Sequence, residues 1–157
     1  MSEIQINPVS SEEKEKESIF DRFSRERNEW SIIVKEIASR FKGNVEELHE
    51  VQVDLYSKRQ EALEYKNQLT VTFSKLKKKY NEEWSKVYND LTFDSDYRYN
   101  EKEKAREADT KVGELKLRLE ALQSHVEFFK DTMGTIDNMI FGVKHRIEIE
   151  DYRRGIK

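Results

Sequence analysis

One pattern constrains this chain more than any other. Val112, Leu115, Leu119, Leu122, Val126, Phe129, Met133, Ile136, Ile140, Val143 and Ile147 follow one another at alternating steps of three and four residues. A straight α-helix turns once per 3.6 residues, so a strict seven-residue repeat sustained over about five heptads keeps its seam on one side only by supercoiling with another helix. The pattern predicts a long C-terminal helix that self-associates or packs along a second long helix. Leu117, Phe128, Met139 and Phe141 flank the seam. A face widened in this way favours more than two helices meeting, and hence a ring or bundle over a simple dimer. Gly134 and Gly142 fall inside the stretch and permit a bend or a close helix approach.

The remainder has the composition of helices that need partners. Charged residues make up 39% of the 157 and apolar ones 36%, with five Gly and one Pro. That is enough apolar surface for one face of long helices and too little for a thick core. Residues 1–9, with Pro8 and no periodicity, read as a flexible tail. Ser10 with Glu13 fits a capping box, and Ile19, Phe20, Phe23, Trp30, Ile33, Val34, Ile37, Ala38 and Phe41 then form a single stripe. Gly43 is expected to stop this helix in the left-handed conformation, and Asn44 with Glu47 to cap the next.

The second helix is predicted over residues 45–88, striped by Leu48, Val51, Leu55, Ala62, Leu69, Phe73, Leu76, Tyr80, Trp84 and Val87. Arg59 and Lys66 occupy stripe positions, which predicts a kink, a solvated segment or a partner surface there. The short Gly43-Asn44 connection predicts an antiparallel helical hairpin over residues 10–88, with the two stripes buried against each other. Residues 89–100 collect turn formers and read as a linker. Asn100 with Glu103 offers a third capping box, opening an oligomerisation helix over residues 101–157. The expected architecture is all-α, an N-terminal hairpin followed by a long coiled-coil-like helix that oligomerises.

Chemistry is constrained mainly by what is missing from the sequence. There is no cysteine, no Gly-rich phosphate loop, no nucleophile elbow and no pair of histidines at metal spacing, so no enzyme, cofactor or metal site is expected. His49, His125 and His145 read as helix-surface or interface residues. The carboxylates alternate with Lys and Arg, the pattern of a salt-bridged solvated face. Residues 1–11 are polar, unlike a signal peptide, and no apolar run approaches the roughly 20 residues of a membrane span. A soluble protein of a reducing cytoplasm is expected, without a membrane partner.

Net charge is −3 and no third of the chain is basic, so any polyanion site must be local. Residues 74–88 are the exception, carrying Lys75, Lys77, Lys78, Lys79 and Lys86 against only Glu82 and Glu83. Tyr80, Trp84 and Tyr88 recur every four residues beside them. Lysines that track phosphates next to rings on which bases stack are what sequence-tolerant single-strand binding requires. The same residues also fit a plainer reading, in which Tyr80 and Trp84 continue the apolar stripe and the lysines form a solvated face. A single patch binds weakly, whereas patches repeated around an oligomer act on one strand together.

The C-terminal third also carries a resemblance. Glu107-Ala-Asp109, Leu115-Lys-Leu-Arg-Leu-Glu-Ala-Leu122, Val126-Glu-Phe-Phe, and Ile136-Asp-Asn-Met-Ile-Phe-Gly-Val-Lys-His-Arg-Ile-Glu148, followed by Tyr152 and Gly155, resemble the end of the UvsY family, the recombination mediators of T4-like bacteriophages. Phe141, Val143, Lys144, His145, Ile147 and Tyr152 are the most specific part of it. The resemblance implies a ring-shaped homo-oligomer of six or seven subunits in the cytoplasm of an infected bacterial host. It further implies binding to single-stranded DNA, displacement or remodelling of the phage single-strand-binding protein, and loading of a RecA-like recombinase. Carried onto this chain, it makes Lys77, Lys78, Lys79 and Lys86 phosphate contacts and Tyr80, Trp84 and Tyr88 stacking residues. The family's Tyr-Tyr-x-Gly turn is not matched, since Tyr88-Asn-Asp lacks the glycine. A coiled-coil structural or chaperone protein without DNA binding is the alternative. A membrane-shaping bundle is disfavoured by the neutral charge of every third.

Overall fold

A computed structural model describes residues 17–94 and 97–155. Among them are four α-helices and no strand: α1 (Ile19–Ser39), α2 (Val45–Phe93), α3 (Glu101–Lys111) and α4 (Gly113–Arg153), with a 3-10 turn over Arg40–Lys42. The fold class is all-α, as the periodicity predicts.

The helix boundaries follow local chemistry. Ser18 caps α1 by accepting a hydrogen bond from the Asp21 N–H at 3.1 Å. The predicted capping pair Ser10 and Glu13 and the tail 1–9 lie outside the described residues. At the next turn Gly43 is extended, with φ −69° and ψ 173°, and is not the left-handed stop expected. Its glycine has a steric cause, because a Cβ there would stand 2.0 Å from Glu47 Oε2. That carboxylate is held in place by the predicted capping box, accepting from the Asn44 N–H at 3.0 Å while Asn44 accepts from the Glu47 N–H at 2.9 Å. Asn100 and Glu103 form the same box at the start of α3. Gly155, with φ 72°, ends α4 in the left-handed conformation.

α1 folds back antiparallel along α2, as the hairpin expectation has it, but the two stripes are not buried against each other alone. The main partner of α2 is α4, which runs antiparallel to it: Glu46 approaches Arg154 at 3.9 Å, Arg59 pairs with Asp137 at 2.5 Å, and Trp84 reaches Asp109 on α3. α1 lies in the groove between α2 and α4, with Arg40 on Asp54 at 2.5 Å marking its end. The core is two connected clusters. One joins Ile37, Val45, Leu48, Val51 and Leu55 to Ile136, Val143 and Ile147, and the other joins Phe23, Ala62 and Leu69 to Leu122 and Phe129. A third helix is required because both α2 and α4 carry faces too wide for a two-helix seam, and α1 covers what remains.

The C-terminal seam therefore lies inside the chain. Leu119, Leu122, Phe129, Ile136, Val143 and Ile147 are buried, and Leu115, Val126, Met133 and Ile140 are partly buried, all within one copy. The predicted assembly surface is instead the core, because a heptad stripe is satisfied by any long apolar helix and α2 is the nearest one. Two further expectations are corrected. The helix predicted over 101–157 breaks at Val112, whose buried side chain anchors the junction of α3 and α4, and α4 then runs unbroken through Gly134 and Gly142. The second helix does not end at residue 88. It continues to Phe93 through the supposed linker, with Leu91 partly buried and the Asp94 N–H bonded to the Asp90 carbonyl.

The gap in the α2 stripe has a packing role. Ala62 is fully buried between the flanking polar positions, and its small side chain leaves room for the rings of Phe23 and Phe129. Arg59, one of the two interrupting residues, pairs across to α4, and its guanidinium is held charged above its ordinary range chiefly by the hydrogen bond to Asp137.

Candidate nucleic-acid interface

At 1.5 Å per residue, α2 with 49 residues is about 73 Å long and α1 with 21 is about 31 Å. The distal half of α2 therefore outruns α1. Ile19, at the start of α1, belongs to the cluster that includes Phe73 and Leu76; beyond it, among the described residues, α2 is covered by α3 and the first turns of α4. The predicted basic and aromatic segment sits on this two-helix stalk.

The aromatics and the lysines part company there. Tyr80, Trp84 and Tyr88 are partly buried, and Trp84 and Tyr88 make contacts to α3. The Trp84 indole stacks on Tyr88, with centroids 5.2 Å apart and planes 16° from parallel, and its Nε1 donates to Asp109 Oδ1 at 3.0 Å. The Lys104 ammonium lies 5.6 Å from the Tyr88 ring centre. These rings pin α3 to α2, so the plainer reading accounts for Trp84 and Tyr88 as packing residues. Ala108 and Val112 are buried at the end of α3 in support of the same joint.

Lys75, Lys77, Lys78, Lys79 and Lys86 are all exposed. Lys75, Lys79 and Lys86, at steps of four and seven, share one edge of the helix. Lys78 points outward with Glu82 at 3.9 Å, and Lys77 leans towards Phe73 with its ammonium 5.9 Å from the ring centre. Between the flanks runs a shallow open face carrying Ser74, Asn81, Ser85 and Asn89, all able to hydrogen-bond phosphate or sugar oxygens. Glu82 and Asp90 stand on the same face and reduce its positive charge. The arrangement supplies a line of ammonium groups and neutral donors suited to a flexible polyanion, without enclosed volume for a small substrate.

The histidine expectation needs the largest correction. His49 and His145 are exposed, but His125 is fully buried and hydrogen-bonded in the middle of the three-helix body. Its spacing from Leu122 and Phe129, three and four residues, already places it on the buried face of α4. Among the described residues no group of three or more potential ligands is placed to hold a metal ion, and no helix is long and apolar enough to cross a membrane. Comparison with protein-family models, with curated proteins and with solved structures finds no match for this chain.

Proposed function

We propose that the protein is a recombination mediator that binds single-stranded DNA along the distal half of α2, acts as a homo-oligomer, and loads a RecA-like recombinase while displacing single-strand-binding protein. The observation that carries the reading is the row of exposed lysines on a stalk that projects beyond the three-helix body, with hydrogen-bonding side chains between them. The UvsY-like C-terminal third supports it. The rings of Trp84 and Tyr88 serve this function by stiffening the stalk, so that phosphate contacts, and not base stacking on those two residues, supply the grip.

Assembly requires a surface other than the buried seam. Phe141 is 72% exposed and Tyr152 86% exposed, and with His145 and Ile149 they stand at steps of four, four and three along one outward edge of α4. We assign self-association to this edge. An apolar edge left in water is stabilised by pairing with a second copy.

The test is fluorescence titration with labelled oligothymidylate across a salt series. The variant with Lys77, Lys78 and Lys79 all changed to Ala is expected to bind more than about tenfold more weakly. The slope of log affinity against log salt is expected to flatten by about 2, at roughly 0.7 for each single-strand phosphate that is no longer neutralised. Parental affinity and slope in that variant would overturn the site. The second reading, a structural coiled-coil protein, draws support from the packing role of Trp84 and Tyr88, and predicts no salt-sensitive binding at all.

A further inference from the structure

α1 is fastened to α2 and α4 by apolar contacts and by one polar group at their centre, Glu26. The Tyr65 hydroxyl of α2 donates to Glu26 Oε2. His125 Nε2 of α4 lies 2.8 Å from the same oxygen. Glu26 Oε1 is 3.8 Å from Arg22 Nε, one turn earlier on α1. The imidazole is 0% exposed, stacked on Phe23 at 4.0 Å and met edge-on by Phe129 at 5.1 Å and Tyr65 at 6.0 Å. Its Nδ1 is buried with no hydrogen-bond partner among the described residues.

The protonation state follows from the donors and acceptors. An ionised carboxylate only accepts, so the neutral imidazole carries its hydrogen on Nε2 and leaves Nδ1 as an unfilled acceptor. A second proton would place an N–H donor at Nδ1 with nothing to receive it, in a pocket of aromatic rings. The groups around the ring do not welcome that charge. From α1 come Arg22 and Arg27, both positive, and the negative Glu26, while Arg25 nearby is ion-paired to Glu17 and Glu29; α2 offers Tyr65, a phenol kept protonated by burial and then by Glu26; α4 brings the rings of Phe128 and Phe129. Burial lowers the His125 pKa from its ordinary 6.5, outweighing the opposing pull of Glu26.

We propose that His125, Glu26 and Tyr65 form an acid-sensitive pin that holds α1 on the α2 and α4 pair and releases it when the imidazole takes its second proton. The inference stands on the geometry of the three-helix body and is independent of the nucleic-acid reading. A docked imidazole titrates below the free one, so docking is fully stabilised above pH about 6.5. It weakens as the pH falls from there towards the depressed value, by at most about tenfold in the docking equilibrium per pH unit for a single proton. Release bares the faces of Leu122 and Phe129 that α1 covers.

The chain has two tryptophans, so Trp84→Phe leaves Trp30, whose ring meets Phe129 edge-on at 5.4 Å, as the sole reporter of α1 docking. Lowering the pH from about 7.5 to about 5.5 is expected to shift Trp30 emission to the red while the far-UV helical signal persists. His125→Gln retains an amide donor for Glu26 without a titrating ring, and is expected to abolish the shift. No shift in the His125 protein, the same shift in His125→Gln, or loss of helix in the same transition would overturn the proposal. A direct measurement on the unmutated ring guards against misfolding of the variant: NMR titration of labelled histidine is expected to find His125 titrating below 6.5 together with α1 resonances, and titration at or above 6.5 sinks the pin.

Discussion

Phe129→Ala tests directly whether the C-terminal stripe is an interior or a shared surface. The ring is fully buried and meets Trp30 of α1 at 5.4 Å, Tyr65 of α2 at 4.8 Å, and His125 and Phe128 of its own helix at 5.1 and 5.4 Å, all edge-on. Truncating a buried Phe to Ala removes its transfer free energy and leaves a cavity, together about 3 to 5 kcal/mol. The upper half of that range applies here, since neighbours on three helices all face the void and none of them can close it alone. Domains of this size have total stabilities of about 5 to 15 kcal/mol, so the variant keeps a fold with a much reduced margin. With a urea m-value of about 2 kcal/mol/M, a loss of about 4 kcal/mol moves the unfolding midpoint down by about 2 M. The assay is urea denaturation followed by far-UV circular dichroism at several protein concentrations. A core residue shifts the midpoint equally at every concentration. An unchanged midpoint, or a shift that vanishes when the protein is concentrated, would refute the placement of this ring inside a single chain.

Two further perturbations probe other parts of the structure. Ala62→Leu forces three further carbons, a methine and two methyls, into the space occupied by Phe23 and Phe129, and is expected to cost about 1 to 3 kcal/mol, read as a lower thermal midpoint; a neutral or stabilising outcome would mean the crossing is looser than described. Phe141→Ser combined with Tyr152→Ser changes two exposed residues, so helicity and midpoint are expected to hold while the mass in sedimentation falls, and an unchanged mass removes that edge of α4 from assembly.

The sequence makes the helices plain and their partners obscure. The three-four spacing of α4 and the boxes Asn44 with Glu47 and Asn100 with Glu103 are local signals, and each appears in the structure. A stripe states that a helix must be covered, without stating by whom, so the same residues from Leu115 to Ile147 read equally as an assembly seam and as a core. Arg59 and Lys66 interrupt the α2 stripe on either side of Ala62, and hydropathy does not register the value of that small residue at a crossing. Asn89, Asp90 and Thr92 carry turn propensity yet lie inside α2, where Leu91 is partly buried, because local propensity is overridden by packing. His125 was legible from its spacing to Leu122 and Phe129; its partners Glu26 and Tyr65, 99 and 60 residues away, were not, since nothing local links them. The excess of lysines over carboxylates is plain in the sequence, whereas their division into an edge at Lys75, Lys79 and Lys86 and the separately placed Lys77 and Lys78 follows from the helix that carries them.

The unequal lengths of α1 and α2 give the molecule a graded resistance to opening. Where three rods lie together, separating any one of them exposes two interfaces; past the end of α1 only one interface holds the outer segment shut. Amide protons there are expected to exchange with solvent sooner than those of the inner segment, and a load applied to the lysine-bearing tip acts through a long arm on the sturdier base. The molecule thus joins a more readily opened outer segment to a firmer base, and the changeover comes near Phe73, where the third rod stops.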